Sequence, residues 1–251
     1  MDSIERDHAE IQNTSGLAAG GAALIITTVY MVVRSVIYAH YPAQSLIDWA
    51  RRDTLMDVPR LLCAFAALLY GVRRWGWRRF GFHANGARTA LVWGLLAVGL
   101  YAIDFLTYQN NFKLPACEFF LFVLSSFIVG FFEEILFRGL WLKVLGGWRS
   151  PFCAAWVSSL IFTVYHYQAQ AMYGWPVIFF TGLLWAYMRL AGVSLWWLML
   201  IHGAVDALVI FVGKADPQLV VSWAIFYNGV WAVLAATFFI LSRRHHGTQI
   251  D

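Results

Sequence analysis

Long apolar runs, most close to bilayer thickness, alternate with short polar segments along the whole chain. A membrane-spanning helix needs about 20 mostly apolar residues. Eight runs approach or meet that length: 17–39, 58–72, 89–108, 114–136, 151–168, 175–190, 193–212 and 219–241. Pro115, Pro151, Pro176 and Pro217 fall near run starts, where a missing backbone N–H costs a helix nothing. No polar stretch of domain size, low-complexity tract or convincing repeat interrupts the series. The pattern predicts an all-α fold, a polytopic membrane helical bundle of about eight transmembrane helices forming one integral membrane domain over residues 1–251.

Composition sharpens that picture. The 251 residues are 61% hydrophobic and only 13% charged, against about 25% charged in soluble domains. So little charge cannot cover a water-facing surface, which excludes an ordinary soluble enzyme, a disordered chain and a nucleic-acid binder, despite a pI near 9.0. The basic excess reads instead as a topology signal. With eight spans, one side holds Arg6, Arg73, Arg74, Arg78, Arg79, Arg88, Arg138, Lys143, Arg149, Arg189, Arg243 and Arg244, twelve in all, and the other only Arg51, Arg52, Lys113 and Lys214. Both termini are therefore expected in the cytoplasm. The Arg73–Arg79 run is expected near anionic headgroups, and most of the 13 Trp and 11 Tyr as interface anchors. Cys63, Cys117 and Cys153 show no framework or metal spacing. The first 15 residues are polar and of mixed charge, unlike a cleavable signal peptide.

Ionisable residues inside a bilayer are costly and mark functional sites by default. Glu133, Glu134 and Arg138 lie on the fourth run, His166 on the fifth, and His202 and Asp206 on the seventh. At about 1.5 Å rise per residue, Glu133 and His202 fall roughly 14–15 Å from one membrane face, and His166 and Asp206 roughly 20–22 Å. In a hydrocarbon core about 30 Å thick, the four share one layer. Glu134 and Arg138, four apart, can pair on one face, which leaves Glu133, rotated by about 100°, to face a cavity. Phe162 shares a helix face with His166. Arg34 and Asp104 are expected to neutralise each other between spans.

Glu133-Glu134-Ile135-Leu136-Phe137-Arg138 has the form EExxxR, Phe162 to His166 the form FxxxH, and His202 to Asp206 the form HxxxD. This ordered trio on successive membrane helices resembles the family of CAAX proteases and bacteriocin-processing enzymes, itself similar to the eukaryotic prenyl-protein CAAX endopeptidase. The motif-bearing core spans about 114–212; the remaining runs match only in being hydrophobic. The resemblance implies a glutamic intramembrane endopeptidase without metal or other cofactor. Glu133 would be the general base on water, with His166 helping to hold that water and His202 and Asp206 lying across the scissile carbonyl. Glu134, Arg138 and Phe162 would support them. The third motif often ends in Asn in eukaryotic members. Here it ends in Asp206, which can donate a proton only when protonated and otherwise orients His202.

The implied partners are membrane lipids and a peptide or protein substrate, lipidated or otherwise membrane-tethered; nucleic acid is excluded. A CAAX peptide, a leader peptide or a C-terminal sorting segment all suit a site at mid-depth. The expected location is a bacterial inner membrane. Two other readings stand beside this one. Glu133, His166, His202 and Asp206 could surround zinc, although HExxH is absent. Alternatively, the chain could be a non-proteolytic scaffold, immunity protein or transporter. Against a transporter, no internal symmetry is visible.

Overall fold

In hydrocarbon every backbone N–H and C=O must be satisfied within the chain, and helices do this segment by segment. The computed structural model describes residues 3–43, 46–108, 115–148, 150–167, 174–212, 226 and 229–240, with no strand among them. The elements are α1 (Ser3–His40), α2 (Leu46–Trp75), the short α3 (Trp77–Phe80), α4 (Ala87–Tyr108) and α5 (Ala116–Glu133). After α5 the winding changes to a π-helix over Glu134–Trp141 and returns to α in α6 (Leu142–Trp148). There follow α7 (Pro151–Tyr165), α8 (Trp175–Leu190), α9 (Leu195–Val212) and α10 (Gly229–Ile240). Ser150 caps α7 by accepting from the Cys153 N–H at 3.2 Å, ahead of Pro151 in the first turn.

Seven apolar runs therefore lie on helices, and the described part of the eighth is α10. Two helices outrun their sequence signal. The second run, short as an apolar stretch, is the C-terminal half of the 30-residue α2, whose N-terminal half carries charges that neutralise each other. The fourth run does not stop at residue 136; the apolar stretch continues as Ala116–Gly147. The fifth ends at Tyr165, so His166 sits just past a helix rather than inside one. Gly16–His40, Ala50–Trp75 and Ala116–Gly147 are each long and apolar enough to cross a bilayer alone.

The bundle is apolar outside and holds a charged cluster within its apolar core. Leu24, Ile25, Val29, Leu62, Leu69, Leu95, Phe120, Leu160 and Leu200 are exposed, whereas Arg34, Asp53, Asp57, Arg60, Glu133, Glu134, Arg138 and His202 are buried. A water-soluble fold seldom buries so many charged side chains. Each outward apolar row is a surface for lipid, and the buried charges must find partners within the chain.

α5 packs on both α2 and α9, α4 on α9, and α7 on α8. The α5–α9 crossing brings backbone against backbone. A Cβ on Gly130 would lie 2.7 Å from both the Gly203 N and the Met199 O, and one on Gly203 would lie 2.8 Å from the Phe127 Cα. Small residues let membrane helices approach backbone to backbone, and here they seat His202 directly beside the end of α5. Backbone cannot swing aside as a side chain can. Gly130→Ala is thus expected to part the helices at a cost of about 1–3 kcal/mol, at the usual scale for overpacking. The check is the melting temperature in detergent, which should fall by several degrees, with a loss of activity larger than that fall explains.

Candidate active site

Two adjacent carboxylates meet one imidazole at the junction of α5 and the π segment. The Leu142 N–H reaches back five residues to the Phe137 carbonyl, the widened winding that often marks functional sites. All eight residues of the segment are buried. Instead of diverging, Glu133 and Glu134 both face His202. The His202 Nδ1–H donates to Glu134 Oε1 at 2.8 Å, and its Nε2 lies 3.5 Å from Glu133 Oε2. Asp206, one turn further along α9, places Oδ2 3.6 Å from the same Nε2. Three carboxylates thus surround His202, and Trp185 of α8, fully buried, stacks on its ring at 6.0 Å.

His166 reaches the same carboxylate from the other side. Its Nδ1 lies 2.8 Å from the Phe162 carbonyl oxygen. A carbonyl can only accept, so Nδ1 carries the proton and, in the neutral ring, Nε2 presents a lone pair. That Nε2 is 3.6 Å from Glu133 Oε1. The imidazole backbone is held too: the His166 N–H donates to the Thr163 carbonyl at 3.0 Å. Arg34 of α1 secures this helix end by donating to the Tyr165 carbonyl at 3.0 Å, with its guanidinium 5.1 Å from the Tyr38 and Tyr165 rings. Arg34 therefore serves α7; the Asp104 side chain expected as its partner lies outside the described residues.

The Glu134–Arg138 pair forms, but at 3.6 Å, too long for a good hydrogen bond. Arg138 NH2 donates instead to the Gly182 carbonyl at 3.3 Å, and its guanidinium carbon sits 4.3 Å over the Phe162 ring. Phe162 also meets the His166 ring edge-on at 4.5 Å. This one aromatic ring separates a cation from an imidazole and fixes both. A Cβ on Gly182 would approach Phe162 at 3.0 Å, so the glycine leaves room for the ring.

A second polar cluster abuts the first. On α2, Arg60 donates to Asp53 Oδ1 at 2.6 Å and to Asp57 Oδ1 at 2.9 Å. Ser125 of α5 donates to Asp57 Oδ1 at 2.8 Å. The four groups are buried and tie α2 to the helix that ends in Glu133. Their spacing, positions 53, 57 and 60, is a helical face and was open to a sequence reading. Trp185 was not, being one aromatic among many. Among the described residues, no three His, Cys, Asp or Glu side chains are arranged to hold a metal ion.

Glu133, Glu134, Arg138, Phe162, His166, His202 and Asp206 are thus one constellation, built by α5, the π segment, the end of α7, and α9. All seven lie within residues 115–208, which match the family model described as "Rce1-like: Type II CAAX prenyl endopeptidase Rce1-like". No curated protein and no solved structure matches the chain. The match stops short of α1 to α4, so Arg34 and the Asp53–Asp57–Arg60 cluster support the site from outside it. The stretch that carries the whole constellation, residues 115–208, is thus the stretch that is similar to type II CAAX prenyl endopeptidases.

Proposed function

We propose that the chain is an intramembrane endopeptidase in which Glu133 and His166 activate water for attack on a peptide bond of a membrane-tethered substrate. The observation that carries this reading is the Glu133 carboxylate, buried in an apolar bundle and flanked by the Nε2 atoms of His166 and His202 at 3.6 and 3.5 Å. Glu133 Oε1 and a neutral His166 Nε2 are both acceptors, so they cannot bond to each other. A water donating one hydrogen to each turns its lone pairs toward the interior. On attack, the water oxygen bonds to the carbonyl carbon and its proton passes to Glu133. His202, with Nδ1–H fixed on Glu134, offers Nε2–H in its imidazolium form to the developing oxyanion. Such preorganised donors are worth most in a dry site. Collapse breaks the C–N bond, and Glu133 returns the proton to the leaving amine. Asp206 orients and charge-balances His202, in place of the amide donor of an Asn.

The family match favours a CAAX-type substrate, cleaved near its C-terminus next to a lipidated cysteine. Purified protein is expected to cleave a farnesylated CAAX-type peptide, and to do so at an unchanged rate after exhaustive chelation, because Glu133 with His166 suffices to polarise water. Loss on chelation, restored by stoichiometric zinc, would favour metal chemistry. Cleavage of the non-prenylated peptide at the same rate would remove the prenyl preference.

We also propose that both termini lie in the cytoplasm of a bacterial cell; the orientation is supported by eleven basic residues against four, Arg138 being buried in the site rather than in a loop. A reporter fused after Arg244 should read as cytoplasmic and one inserted near Lys214 as external. The reverse pattern would turn the bundle over.

A further inference from the structure

Away from the polar centre, the loop after α3 is fastened to the turn between α8 and α9. The Leu195 N–H donates to the Gly81 carbonyl at 3.0 Å, the Ser194 hydroxyl donates to the same carbonyl at 3.3 Å, and the His83 N–H donates to the Ser194 hydroxyl at 3.4 Å. Gly81, at φ 139°, allows the approach: a Cβ there would meet the Arg189 NH2 at 2.8 Å. Phe80 anchors the loop by packing into the space left by Gly71 and Gly139.

This seam gathers cations without acids. Arg189 NH1 donates to the Val193 carbonyl at 3.4 Å and lies 3.5 Å from His83 Nε2. Lys143 of α6 lies within electrostatic range of both Arg189 and Arg79. Among the described residues none of Arg79, Lys143 and Arg189 has a carboxylate within ion-pair range. The Arg189 Nε and His83 Nδ1 are buried and make no hydrogen bond. Burial, with Arg189 and Arg78 beside it, holds the His83 imidazole below its ordinary range, so His83 adds a polar group rather than a further charge. A buried, unused Arg189 Nε and His83 nitrogen, with Lys143 beside both Arg189 and Arg79 and no acid among them, call for an anion.

The level of the cluster is set independently. Trp77 and Trp196 are exposed and lie 6.0 Å apart, and Phe82 stacks on Trp77 at 4.3 Å. Exposed tryptophans of an apolar bundle settle at the headgroup level, and this aromatic group is built from the same two segments as the cationic seam. We propose that Arg79, Lys143 and Arg189, with His83, form a binding site for the phosphate of an anionic lipid headgroup. The site clamps the α3 loop onto the α8–α9 turn, and its existence does not depend on the peptidase reading.

Native mass spectrometry of the purified full chain, titrated with phosphatidylglycerol or with phosphatidylcholine of identical acyl chains, reads the preference directly. The expected result is selective retention of phosphatidylglycerol, reduced about fivefold by each of Arg79→Gln, Lys143→Gln and Arg189→Gln, the usual worth of one basic residue near an anionic surface. Arg51→Gln, whose residue pairs with Glu118 at 3.6 Å on the N-terminal half of α2, should keep the preference. If Arg189→Gln does not fold, the other two variants carry the test. Equal binding of the two lipids, or folded Lys143→Gln and Arg79→Gln proteins with wild-type preference, would overturn the site. A rise in melting temperature with inorganic phosphate at constant ionic strength, without any lipid preference, would overturn the lipid assignment in favour of soluble phosphate.

Discussion

Glu133→Gln is expected to lower the cleavage rate by about 10²–10⁴-fold, the usual cost of removing general-base action, while the protein still inserts and runs as a single species in detergent. Gln has the volume of Glu and fills the same space between His166 and His202. What it lacks is a proton acceptor of the right basicity. It also removes one of the three carboxylates gathered on the single His202 ring, together with the cost of burying that charge, so the melting temperature should hold or rise. Glu134→Gln is the informative contrast. Its amide oxygen can still accept from His202 Nδ1, the 2.8 Å bond in the native protein. The ring therefore stays oriented, and the loss of rate should be the smaller of the two. Equal losses, or a larger one at Glu134, would exchange the roles of the two carboxylates.

Arg60→Met is expected to be the most destabilising single change outside the constellation. It leaves Asp53 and Asp57, both buried, without the guanidinium that binds them at 2.6 and 2.9 Å. Stranding one side of a buried ion pair costs about 3–5 kcal/mol, on the order of a 10 °C drop in melting temperature for a chain of this size. Adding Asp53→Asn and Asp57→Asn should recover much of that loss, since replacing all members of such a cluster is often close to neutral. Because Ser125 binds Asp57 from α5, the single variant should also slow cleavage through displacement of Glu133. A single variant that melts with the wild type would show that the cluster contributes nothing to the seating of α5.

The elements were legible because a bilayer imposes one rule on every span, a long apolar run, and the helices follow those runs. Where the reading fell short, a local rule was overridden. The N-terminal half of α2 reads as too charged to continue an apolar helix, yet its acids and bases are equal in number and Arg60 binds both Asp53 and Asp57 on one face. Glu133 and Glu134 diverge on an α-helix by about 100°; His202, seated against this helix end by the α5–α9 crossing, meets one with Nδ1 and the other with Nε2, a position that no composition or spacing announces. Glu134 and Arg138 both lie in the π segment, where i,i+4 residues are not aligned as on an α-helix, and Arg138 makes its best contacts with Gly182 and Phe162. Arg34 and Trp185 were visible as residues but not as parts of the site, since burial and partners are properties of the packed bundle.

The most direct test of the account is a single-turnover cleavage of a farnesylated CAAX-type peptide in water enriched in oxygen-18, with products weighed by mass spectrometry for the wild type and for Glu133→Gln. Water activated at Glu133 predicts one heavy oxygen in the new carboxylate of each wild-type product and no product from Glu133→Gln over the same interval. A folded wild type that yields no product from prenylated or other membrane-tethered peptides, a product without heavy oxygen, or a Glu133→Gln protein that matches the wild-type rate would contradict it.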